Sequence, residues 1–133
     1  MASAVYPKSI ITIMSGGINL ASLAVKAVLL DTATYTYNAA HQFYSDLSGV
    51  VATETGALGS KTIGVVGTGV FDAADATVTA ATGTSAEALA TFIDRGGAAT
   101  ADDLLSYNEL SAPVTPNGGD ITVQWDAAGI FSL

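Results

Sequence analysis

The sequence predicts a mainly β fold, an antiparallel β-sandwich or jelly-roll-like barrel with one or two short helices. Two observations carry this. Through the middle of the chain, apolar and threonine-rich segments of strand length are separated by glycines at 56, 59, 64, 67, 69 and 83, a rhythm of strands and turns rather than of long helices. Near the end, ITVQWD (121–126) alternates apolar and polar residues, so a period of two sets Ile121, Val123 and Trp125 on one face. Repeated short strand-turn units of this kind close as a sandwich or barrel.

The elements follow in order. Residues 1–17 form an N-terminal arm or short helix. Pro7 suits a first helical position, apolar residues recur at 10, 13 and 14, and Gly16 supplies a C-terminal stop, although three isoleucines fit a strand as well. The apolar run Ile10–Met14 ends at Ser15-Gly16-Gly17 and is too short for a spanning helix or a signal-peptide core, so a retained N-terminus is expected. LAVKAVLL (23–30) reads as a mostly buried strand ended by Asp31. After it, Asn38 is placed to cap an amphipathic helix with Ala40, Phe43, Tyr44 and Leu47 on one face, stopping near Ser48-Gly49.

Short strands are then expected at 50–54, 61–66, 69–72 and 76–80. AEALATFID (86–94) mixes helix-favouring Ala, Glu and Leu with strand-favouring Thr91, Phe92 and Ile93. Bracketing by Gly83 and Gly96-Gly97 at strand length decides for a strand. DDLLSYNEL (102–110) is a further strand, SAPVTPNGGD (111–120) a connection rich in proline and glycine, and 121–126 the clearest strand. Asp126–Gly129 then turns the chain into Ile130, Phe131 and Leu133 as a terminal hairpin. The 133 residues suit a single β domain, 1–133, which would bury roughly two thirds of its unfolded surface without disulfides or a metal.

Composition narrows the function. Charged residues make up 12% of the chain and hydrophobic ones 50%, with a mean hydropathy of +0.47, whereas soluble domains carry roughly a quarter charged residues. Surface so poor in charge points to cover by copies of the chain or by a partner. Lys8, Lys26, Lys61 and Arg95 are scattered among twelve carboxylates, for a formal net charge of −8. No basic run exists to bind phosphates or anionic lipid, so neither nucleic acid nor membrane is expected as a partner.

Catalytic patterns are weak. Cysteine is absent, which removes disulfides, thiolate nucleophiles and Cys-ligated zinc. His41 is the sole histidine, with no G-x-S-x-G elbow and no second imidazole for a metal, and reads as a solvated or capping residue. GALGSKT (56–62) has Ser60 where a phosphate loop has its lysine, and GVVGTG (64–69) has its glycines in the wrong order for a dinucleotide fingerprint. Asp72 and Asp75, Asp102 and Asp103, Asp120 and Asp126 lack the spacing of a calcium loop and read as turn residues. One tryptophan makes a poor sugar platform for paired glycosidase acids. The expectation is a non-enzyme with no cofactor, no metal and no catalytic residue.

Four passages carry a resemblance: INLAS…VKAVLLDTATYTY, GVFDAADATVTA, the small-residue run GGAAT, and PVTPNGGDITVQWD. Together with the sequence between them they resemble a family of small virion structural proteins of tailed bacteriophages. The chain departs from that pattern in GVVATETGALGSKTIGVVGTG, and in AEALATFIDRGG, where Ala and Thr stand for larger apolar residues; both departures bear on surface contacts rather than on the fold. The resemblance implies a capsid decoration or cement protein, made in the host cytoplasm and carried on the capsid exterior. Its implied partners are the major capsid protein and itself, as a dimer or trimer. A tail, neck or head-fibre component is the alternative, and a secreted lectin-like binding domain a distant third. Contact residues are sought in the apolar N-terminal stretch (Tyr6, Ile10, Ile13 and Met14) and in Tyr35 and Tyr37, since tyrosine joins area to a hydrogen-bonding tip. Packing of both groups into the monomer is an equal alternative.

Overall fold

The computed structural model describes residues 4–133; the first three residues of the expected arm 1–17 lie outside the described residues. The strands are β1 (Ala4–Val5), β2 (Ala24–Leu30), β3 (Val50–Val51), β4 (Thr62–Ile63), β5 (Val70–Asp72), β6 (Ala76–Val78), β7 (Ala86–Asp94), β8 (Leu104–Val114), β9 (Ile121–Val123) and β10 (Phe131–Ser132). One α-helix, α1, spans Pro7–Met14, and short 3-10 turns occupy Tyr44–Asp46 and Ala99–Ala101. The fold is mainly β and sandwich-like, and its strand pairs are antiparallel.

A five-stranded sheet in the order β1-β8-β7-β2-β3 forms the body, beside a three-stranded sheet β10-β5-β4 and a two-stranded sheet β6-β9. The strands of the body are apolar on both faces because both faces are covered. On one face Val28, Leu30, Ala88, Ala90, Phe92, Leu104 and Tyr107 pack with Tyr6 and Tyr35. On the other, Val25, Ile93 and Leu105 meet Phe71, Ile130 and Phe131, while Ala27, Leu29 and Leu89 meet Val51, Val78 and Val123. The alanines of β7 fit this double burial, since Ala86, Ala88 and Ala90 are fully enclosed. The directly paired Thr91 and Ser106 satisfy each other inside the sheet, their hydroxyl oxygens 2.5 Å apart.

Helix α1 starts with Pro7 in its first turn and ends where Gly16 takes φ +85°, with the Gly16 N–H bonded to the Ile13 carbonyl and that of Gly17 to Thr12. Buried Ser9 donates its hydroxyl to the Leu104 carbonyl, tying the helix to β8. A second anchor is Arg95. Its Nε and Nη2 lie 2.9 and 2.7 Å from Asp103 Oδ2, and the same Nη2 donates to the Gly17 carbonyl at 2.9 Å.

Five expectations need correction. Residues 38–47 do not form a helix. Asn38 Oδ1 accepts from the Ala40 N–H as an Asx turn, and Asp46 Oδ2 accepts from the N–H groups of Gln42 and Phe43. The backbone is also engaged across the fold, Tyr44 N–H with Asp102 and the Gln42 carbonyl with Leu104, so only the turn Tyr44–Asp46 remains. The strands expected at 50–54, 61–66 and 76–80 are two or three residues long; Ala52, with φ +61°, ends the first of them. Strand β8 begins two residues later than expected and runs on through Pro113 to Val114, paired with Ala86, so the connection shrinks to 115–120. The terminal hairpin does not form. β9 pairs with β6 and β10 with β5, because the turn Asp126–Gly129 delivers Ile130 N–H to the Phe71 carbonyl in another sheet. Trp125 lies beyond β9, partly buried, with Nε1 donating to the Ala74 carbonyl.

Candidate association surface

The six residues sought for contacts separate into two groups. Tyr6 and Tyr35 are core residues, 0% and 2% exposed, a correction to their expected place at an interface. Their hydroxyls are 2.7 Å apart, and that of Tyr35 lies 2.8 Å from His41 Nδ1. Tyr37 is half-buried, its hydroxyl donating to the Val5 carbonyl and its ring 5.1 Å from that of Tyr6. Burial pushes the hydroxyls of Tyr6 and Tyr35 above the ordinary tyrosine range, so both stay protonated. His41, read from sequence as a solvated or capping residue, is a half-buried member of this structural chain of hydrogen bonds.

The other group lies on α1. Ile10 and Ile13 are half-buried, whereas Met14 is 82% exposed, and Ile11, not singled out from the sequence, is 67% exposed. Ile13 also lines a groove of about 390 Å³ together with Ile63, Val70, Phe131 and Leu133. Ile63 and Leu133 are each more than half exposed, and Val65, in the loop after β4, is 76% exposed. Large apolar side chains from α1, the β4–β5 region and the C-terminus therefore meet around one groove. Among the described residues no charged one lines it, in contrast to two other surface grooves lined by Glu109 and Asp126 or by Glu87 and Glu109.

The sequence held a signal for part of this surface. Val65 and Val66 sit between Gly64 and Gly67, and two β-branched residues inside a glycine-bounded turn have little scaffold with which to reach a core. The other half depends on tertiary structure: Ser9 turns inward on α1 and so turns Ile11 and Met14 outward.

Apart from Asp72, whose buried Oδ1 has no hydrogen-bond partner among the described residues, the aspartates singled out from the sequence serve turns and ion pairs. Asp120 accepts from the Ala80 N–H, Asp126 from Ala128 and Asp75 from Trp125, while Asp102 and Asp103 hold Arg95. Lys61, in the segment that resembles a phosphate loop, donates to the Leu23 carbonyl at 2.5 Å. Among the described residues no group of three or more His, Cys, Asp or Glu side chains is placed to hold a metal, and no helix is long and apolar enough to cross a membrane. No protein-family model matches the chain, and no curated protein sequence matches it significantly.

Proposed function

We propose that this chain is a non-enzymatic structural protein of a tailed-phage virion, a decoration or cement protein that binds the outer capsid lattice and stabilises the shell. The reading joins the family resemblance of the sequence to one structural observation: on a chain of net charge −8, a groove with no charged lining among the described residues is lined by Ile13, Ile63, Phe131 and Leu133, and Ile11, Met14 and Val65 of the flanking helix and loop are exposed. Elsewhere like charges oppose close approach of acidic proteins; on this face they do not.

The energetics suit a lattice. Fully burying one large apolar side chain contributes about 1.5–3 kcal/mol, so four or five of them supply roughly 10 kcal/mol. Association costs about 4–15 kcal/mol in lost freedom and ordering, which leaves a single contact weak. A dimer or trimer presenting the same face two or three times would bind a repeating shell far more tightly, because the second contact forms at high effective concentration. Such a protein resists outward pressure by bridging neighbouring subunits and needs no reactive group.

Copy number relative to the major capsid protein, measured by densitometry of purified particles, tests the reading. Decoration predicts a ratio near a simple fraction of the lattice, tens to hundreds of copies. A dozen copies or fewer would overturn it in favour of a neck or tail position.

A further inference from the structure

A second groove, about 430 Å³, lies on the far side of the tyrosine cluster, between β7, the C-terminal half of β8 and residues 32–37. Tyr35, Tyr37 and Tyr107 contribute to its wall, their rings packed with centroids 5.6 Å (Tyr37–Tyr107) and 6.2 Å (Tyr35–Tyr107) apart. Glu87 and Glu109 line it from the two strands.

Two side chains give the groove its chemistry. Tyr107 is only 4% exposed, and the hydroxyls of its neighbours Tyr6, Tyr35 and Tyr37 all have protein partners. Its own hydroxyl makes no hydrogen bond to the described residues and is not among their fully enclosed polar atoms, and Tyr107 lines the groove. Burial, with the field of Glu109 and Glu87, holds that hydroxyl in its neutral form. Glu87 is fixed by neutral donors alone: Ser85 Oγ at 2.7 Å on one oxygen, and Thr32 N–H and Oγ1, each at 3.0 Å, on the other. These hydrogen bonds hold its carboxyl below the usual range, so it stays charged. The basic side chains Lys26, Lys61 and Arg95 are committed elsewhere, to Asp94, to the Leu23 carbonyl and to Asp103.

We propose that this groove binds an alkylammonium group, with Glu87 as its counter-ion, the Tyr107 hydroxyl oxygen accepting one N–H, and the tyrosine rings packing on the attached methylenes. A fixed carboxylate, an open acceptor and electron-rich rings within one concavity match an ammonium on an alkyl stem, and suit neither an anion nor a plain hydrocarbon. The same chemistry is presented by a lysine of a partner protein and by a free amine. The inference is independent of the virion reading.

The test is a titration of the isotopically labelled full chain followed by amide NMR shifts. The probes are n-butylammonium, the peptide acetyl-Gly-Lys-Gly-amide, and two neutral counterparts, n-pentanol and acetyl-Gly-norleucine-Gly-amide. Saturable shifts at Glu87, Tyr107 and Ser111 are expected with the ammonium probes at millimolar concentrations and not with the neutral ones. Tighter binding of the peptide assigns the site to a partner's lysine; equal binding assigns it to free amines. Glu87→Gln and Tyr107→Phe each weaken binding by about threefold or more, and added salt weakens it in the wild-type chain without any substitution. Equal shifts with the neutral probes, no saturation below ~100 mM, or salt-independent binding would overturn the proposal.

Discussion

Arg95→Met tests how the candidate association surface is held in place. The Asp103 side chain is 6% exposed and receives two nitrogens of one guanidinium, which also reaches the Gly17 carbonyl just beyond α1. Methionine preserves the aliphatic stem and removes the charge, leaving a buried carboxylate without its counter-ion. Removing one partner of a buried pair costs about 3–5 kcal/mol. The Arg95 side chain is itself 31% exposed, and solvent screening reduces the expected loss to roughly 2.5 kcal/mol. At ~2.1 cal/mol/K per residue, a chain of 133 residues has an unfolding entropy of about 0.28 kcal/mol/K, so the thermal midpoint should fall by about 9 °C. Adding Asp103→Asn removes the uncompensated charge and should recover part of the loss. Thermal unfolding followed by far-UV circular dichroism measures both variants. A midpoint for Arg95→Met within ~2 °C of wild type, the range of ordinary surface changes, would refute the reasoning that this pair is a buried anchor.

Three further outcomes follow from the same structure. Gly129→Ala should cost about 3 kcal/mol in urea unfolding, since Gly129 has φ +100° and an added Cβ would lie 2.3 Å from Val70 Cγ1. Stability should fall in acid. Phe43 and Gln42 N–H groups lower the Asp46 carboxyl and Lys26 lowers that of Asp94, so their folded values lie below the unfolded ones. Their contribution is complete above the unfolded carboxylate value of about 4 and is lost as pH drops through the folded values; Asp46→Asn with Asp94→Asn should flatten the acid limb of a stability-versus-pH curve. Met14→Glu with Val65→Glu should leave the thermal midpoint within ~2 °C while abolishing binding to purified undecorated shells, as read by co-sedimentation.

Much of the fold is legible locally, and most of the surface is not. Pro7 and Gly16 mark the helix because each solves a backbone problem at its own position, and the bracketing glycines fix 86–94 as a strand. The segment 38–47 misleads because its helical spacing is real, but tertiary hydrogen bonds to Asp102 and Leu104 take up backbone groups that a helix would use. Strand partners are equally non-local: nothing within residues 121–133 says that β9 and β10 belong to different sheets. The tyrosines show the same limit. Residue type favours an interface for Tyr6 and Tyr35, yet their position opposite β8 and the hydroxyl chain to His41 place them inside.

On the proposed virion function, electron microscopy of intact phage particles that carry the chain, with the fold fitted into the density, tests the central reading most directly. The account predicts many copies spread over the outer shell, each seated with Met14, Ile63 and Val65 toward the capsid subunits. Density confined to one vertex, or copies seated on another face with these side chains left in solvent, would contradict it.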